Sequence, residues 1–117
     1  MAKTKKQILV AGRNVDEVFG FVQNWFSQNK IGVIEHTTNY IKGRWGSGFL
    51  TAPKYFQVTL TETADGVLAE TEGWITVYGV SDQDFSPKAL GGGLPRREGW
   101  RTMERLWSAL EGYSKAT

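Results

Sequence analysis

The chain has 117 residues, of which 40% are hydrophobic and 13% aromatic, with five Trp and no Cys. That supplies one self-supporting core and excludes a disordered chain, a disulfide scaffold, thiolate chemistry and Cys-type zinc sites. Fourteen Lys and Arg against 12 Asp and Glu leave a formal charge of +2, and the near-neutral body does not suggest an obligate nucleic-acid binder.

Residues 1–6, with three lysines, are read as a disordered tail ahead of a single domain spanning 1–117. The run "QILVAG" is too short for a signal-peptide core, and no apolar run reaches membrane-spanning length. A cytoplasmic protein without membrane contact is therefore expected. Residues 7–11 predict a short first strand ended by Gly12. Asn14 is placed to cap a helix whose first turn holds Asp16 and Glu17, where carboxylates complement the helix dipole. Val15, Val18, Phe19, Val22, Trp25 and Phe26 follow at helical spacing and form one apolar stripe.

Two strands are predicted next, over 33–37 and 40–45, joined by a tight turn at Thr38-Asn39 that sets Glu35 opposite Lys42. Gly46, Gly48 and Pro53 then mark a loop. The segment "YFQVTLTETADGVLAETEGWITVYG" carries the strongest local signal, with Asp65-Gly66 as a type I′ turn between alternating runs. That turn pairs Thr61 with Glu70, Thr59 with Glu72, Gln57 with Trp74, and Tyr55 with Thr76. One face collects Phe56, Val58, Leu60, Thr71, Gly73, Ile75 and Val77; the other is polar with aromatics.

A long connection over 80–94 holds Asp82, Asp84, Pro87 and the triplet 91–93 of "ALGGGLPRREGW". From Pro95, the residues Trp100, Met103, Leu106, Trp107, Leu110 and Tyr113 predict a second amphipathic helix. The fold class is α+β, in the order β-α-β(4)-α. An antiparallel sheet of about five strands should carry both helices on one face.

This order resembles the single repeat of the TATA-box-binding-protein fold and a shortened helix-grip fold of START and pollen-allergen domains. The ending "GWRTMERLWSALEG" is similar to those of small prokaryotic domains of that shape. The first likeness implies a nucleic-acid-binding domain, although the chain has one repeat and no phenylalanine matching the intercalating positions. The second implies a carrier of an apolar small molecule, with Trp25, Phe26, Trp45, Phe49, Trp100 and Trp107 around a cavity. Close packing of these same side chains would fill that space.

The triplet lacks the Lys-Ser/Thr pair of a phosphate loop and the βαβ setting of a dinucleotide site, so it reads as a hinge. Arg96, Arg97 and Arg101 remain anion-binding candidates at the helix start. Arg97, Arg101 and Arg105 form an i, i+4, i+8 stripe that Glu98 and Glu104 dilute, as on a solvated face. His36 is the sole histidine and lacks the partners of a metal site or a general base. Glu70 and Glu72 share a strand face with threonines and have nothing apolar to tune them. Asp82 and Asp84 make at most a weak cation site. No catalytic set, metal or cofactor is assigned, and a non-enzymatic domain is expected.

The uncovered sheet face should display Tyr40, Lys42, Arg44, Tyr55, Gln57, Trp74, Thr76 and Tyr78. Aromatics on such a face mark a contact surface. Since Glu70 and Glu72 repel phosphate there, a protein partner, in the first place another copy as a homodimer, suits the face better than nucleic acid.

Overall fold

The computed structural model describes residues 4–46, 53–77, 81–83, 85 and 93–115, and the side chains of all of these but 77, 81–83 and 93–96. The elements are β1 (Thr4–Ala11), α1 (Val15–Gln28), β2 (Gly32–His36), β3 (Tyr40–Trp45), β4 (Lys54–Thr63), β5 (Gly66–Val77), β6 (Ser81–Gln83) and α2 (Gly93–Tyr113). Five antiparallel strands run in the order β1-β5-β4-β3-β2, and the short β6 pairs with the end of β5. The α+β class and the antiparallel sheet agree with the pattern read from the sequence. Three features differ by more than one residue. β1 starts at Thr4, so residues 4–6 belong to a strand and not to a tail. β6 lies inside the expected connection, and α2 starts at Gly93, ahead of Pro95.

Local chemistry explains the ends of α1. Asn14 accepts from the Glu17 N–H at 2.8 Å, while the Asn14 N–H donates to the Glu17 carboxylate at 3.1 Å, a complete capping box. This bond to the Asn14 backbone, followed by Arg13, holds the Glu17 carboxyl below its ordinary pKa. At the other end Lys30 adopts φ 60. The Lys30 N–H reaches Ser27 O at 3.2 Å and the Ile31 N–H reaches Phe26 O at 2.9 Å, the bonding of a Schellman stop.

The β4–β5 register corrects the predicted one by two residues. Tyr55 pairs with Trp74, Gln57 with Glu72, Thr59 with Glu70 and Thr63 with Gly66, so the turn residues are Ala64 and Asp65. Neither has a positive φ, which a type I′ turn requires at both positions. Gly66 instead starts β5 at φ 153, where a Cβ would run into the β1 backbone at Val10 and Ala11. The glycine serves the approach of β1. A shift of two preserves both faces, so Phe56, Val58, Leu60, Thr71 and Ile75 of the predicted apolar set are buried on the inner side.

Both helices pack on that inner face, α1 over β2–β4 and α2 over β1, β5 and β4. Val18, Val22, Trp25 and Phe26 from α1 and Met103, Leu106, Trp107 and Leu110 from α2 are buried against Ile8, Val10, Ile41, Phe56, Val58, Leu60, Val67, Ala69 and Ile75. Phe21 and Tyr113 stack at 4.1 Å and join the helices. The Trp107 indole N–H donates to the Thr71 hydroxyl at 2.8 Å, which donates onward to Lys6 O at 2.7 Å, so both buried polar groups are satisfied.

Candidate functional site: the outer sheet face and a buried lysine

Alternation on β3, β4 and β5 brings Tyr40, Lys42, Arg44, Tyr55, Gln57 and Trp74 to one face, opposite the helices. They fall into rows across the strands. Arg44, Tyr55 and Trp74 form one row; Lys42, Gln57, Glu72 and Lys5 form the next; Tyr40, Thr59, Glu70 and Gln7 form the third.

The first two rows make a compact aromatic and basic cluster. Tyr55 and Trp74 stack at 5.4 Å and 16°, a contact that the corrected register creates by making them direct partners. Lys42 Nζ stands 5.7 Å from the Tyr55 ring and 5.3 Å from the Trp74 ring, and the Arg44 guanidinium is 5.9 Å from Tyr55. These separations suit cation–π attraction. Trp74 is only 5% exposed, so it anchors the cluster and is not a displayed ring.

A polar chain crosses four strands. The Tyr40 hydroxyl donates to Gln57 Oε1 at 2.9 Å, Gln57 Nε2 donates to Glu72 at 3.1 Å, and Lys5 lies 3.8 Å from the same carboxylate. Partial burial, with Glu35 and Glu72 nearby, raises the Tyr40 phenol above its ordinary pKa and keeps its proton available for donation. Thr76 occupies the same face beyond Trp74, half-buried. Tyr78 lies outside the described residues.

The anion candidates do not converge in the same way. Arg97 and Arg101 are exposed on α2, and the Arg96 side chain lies outside the described residues. Arg101, Glu104, Arg105 and Ser108 line an open concavity of about 480 Å³, where Glu104 offsets the arginines. Arg105 also donates to the Thr102 hydroxyl at 3.4 Å. His36 is exposed at the end of β2, 6.2 Å from the Phe19 ring. Glu70 accepts from Gln7 at 3.4 Å on the outer face. Asp82 lies in β6, and Asp84 is outside the described residues.

Of the aromatics expected to line a carrier cavity, Trp25, Phe26 and Trp107 are buried in the core, Trp45 and Trp100 pack against it, and Phe49 is outside the described residues. Side chains fill the glycine positions of the inner face. A Cβ on Gly73 would meet the Phe85 ring at 2.6 Å and the Met103 sulfur at 2.8 Å, and one on Gly43 would meet Ile31 and Phe26. Phe85, fully buried, is held there by its own N–H, which donates to the Thr4 hydroxyl at 2.9 Å.

Lys54 is the residue that sequence reasoning missed. It is in phase with Phe56, Val58 and Leu60 on the inner face of β4 and is 0% exposed. Its Nζ sits 4.3 Å from the Trp45 ring centroid and 3.7 Å from the Glu98 carboxylate, and has no hydrogen-bond partner among the described residues. Burial pushes the amine below the ordinary lysine pKa, and Glu98 opposes that shift. The alternation K-x-F-x-V-x-L was the available signal: a lysine heads an otherwise apolar face. No protein-family model, curated protein or solved structure matches the chain.

Proposed function

We propose that this is a non-enzymatic binding domain whose outer sheet face pairs with the same face of a second copy. The observation that carries the reading is the row Lys42–Gln57–Glu72, with a cation on β3, a neutral amide on β4 and an anion on β5. Face-to-face association about a twofold axis along β4 exchanges the positions of β3 and β5. Lys42 of one copy then meets Glu72 of the other, twice, and Arg44 lies beside the partly exposed Tyr55 of the other copy. Self-complementarity of this kind is what an isologous interface needs. Stacking and cross-strand hydrogen bonds hold these side chains in place beforehand, which lowers the ordering entropy of association.

Charge exchange tests it. Lys42→Glu should weaken self-association at least about tenfold in sedimentation equilibrium, because like charges then face each other. Lys42→Glu combined with Glu72→Lys should restore it. A dimer indifferent to both changes, or a wild type that stays monomeric at high concentration, contradicts the reading. Trp74→Ser is a poor probe, since removing a buried tryptophan costs about 3–5 kcal/mol of stability by itself.

Nucleic acid is the alternative that the TATA-box-binding-like element order raises. Lys42 and Arg44 favour it; Glu35, Glu70 and Glu72 around them oppose it. The expected result is no salt-sensitive binding of single- or double-stranded DNA or RNA at physiological ionic strength. Tight binding that falls steeply with salt, as counterion release requires, would place nucleic acid first. The side chains of Phe85, Met103, Phe26 and Ile31 over the inner-face glycines speak for a filled interior rather than a carrier cavity.

A further inference from the structure

Lys54 has no part in the outer face, and it breaks the rule that a buried amine is hydrogen-bonded. A leucine or methionine would fill the position without an ion to desolvate, so packing does not explain the lysine. Three groups define the place. The Trp45 ring lies 4.3 Å from Nζ, the Glu98 carboxylate lies 3.7 Å away on the other element, and Ile75 is the β5 partner of Lys54. Among the described residues, Glu98 is the charged group that faces the amine.

We propose that Lys54 is the reactive amine of a carbonyl-binding site, where Nζ captures a small aldehyde or ketone as an imine against Trp45, with Glu98 carrying the proton. An anion is disfavoured by the adjacent carboxylate, whereas a neutral carbonyl brings no charge. Nζ has donors left unused, and a carbonyl oxygen supplies the acceptor. The Glu98 side chain is 46% exposed and Trp45 is partly exposed, so both groups beside the amine also reach solvent. Entry of a ligand of a few atoms requires rotation of these side chains, a fast motion for exposed groups.

The chemistry balances without a redox partner. The neutral amine attacks the carbonyl carbon, a C–N bond forms as the C=O π pair moves to oxygen, and that oxygen takes a proton from the attacking nitrogen. The Glu98 carboxylate removes the remaining N–H proton and passes it to the resulting hydroxyl, which leaves as water while the nitrogen electron pair closes the C=N bond. Both amine protons and the carbonyl oxygen end in that one water. Desolvation favours the neutral, nucleophilic form of the amine, as for other lysines of this kind.

Reductive alkylation of the full chain with acetaldehyde and cyanoborohydride at pH 7, read lysine by lysine by peptide mass spectrometry, tests the site. Lys54 should be modified faster than exposed Lys5 and Lys30, by at most about tenfold for each unit that its pKa is lowered, because a less basic amine is also a weaker nucleophile. Glu98→Gln should slow modification of Lys54 alone, with folding checked by circular dichroism. A purely electrostatic Glu98 predicts the opposite, since losing its charge lowers the amine pKa further. Faster labelling in Glu98→Gln overturns the proton-carrying role. Lys54 labelled more slowly than Lys5 and Lys30 in the folded protein, yet equally in urea, overturns the site.

Discussion

Phe85→Ala is expected to destabilise the domain by about 3–5 kcal/mol, the range for deleting a buried aromatic side chain. The ring is fully buried between β5 and α2, and both elements carry a glycine under it, Gly73 and Gly99. It also lies 5.6 Å from Phe56 on β4. Alanine would leave a void bordered by the backbones of Gly73 and Gly99. Urea denaturation of wild type and variant measures the loss. A difference below about 1 kcal/mol would mean that the ring is not seated in this core.

Lys54→Met is expected to stabilise the domain, by about 1 kcal/mol or more at pH 7. Replacing a buried ion by an apolar side chain of similar volume gains up to about 4 kcal/mol, and the lost attraction to Trp45 takes back about 0.5–2 kcal/mol. The pH dependence separates this from a simple packing gain. Folding lowers the Lys54 pKa, so between the folded value and the ordinary lysine value the unfolded chain binds more protons. Stability of the wild type therefore rises with pH through that window. Below it both states are protonated, and the full penalty applies at constant size. Lys54→Met should lose this rise, with its advantage over wild type shrinking as pH approaches about 10. An advantage independent of pH would assign the gain to packing.

The faces of the sheet were legible in the sequence because period-two alternation is insensitive to a slip of two residues. The register was not, because Asp65-Gly66 carries two meanings. As a type I′ turn it pairs Gln57 with Trp74; in the structure Gly66 is needed where β1 crosses close to β5. That tertiary demand has no local signature. It is also what puts Tyr55 beside Trp74, so the outer face is legible as a set of residues but not as an arrangement. The start of β1 was hidden by Lys5 and Lys6, which read as a charged tail yet sit on an edge strand, where lysine also guards against sheet extension. β6 spans three residues, too short for any periodic signal. Lys54 escaped notice because a lysine at a strand start is ordinarily solvated, and only the phase of the three apolar residues after it marks it as inward.

Self-association through the outer face is tested most directly by amide proton–nitrogen spectra recorded across a hundredfold range of protein concentration. Concentration-dependent shifts are predicted at Tyr40, Lys42, Arg44, Tyr55, Gln57 and Glu72, while α2 and the β2 edge, including exposed Ile34, stay unchanged. Shifts confined to β2 or α2, or none at any concentration, would contradict the account.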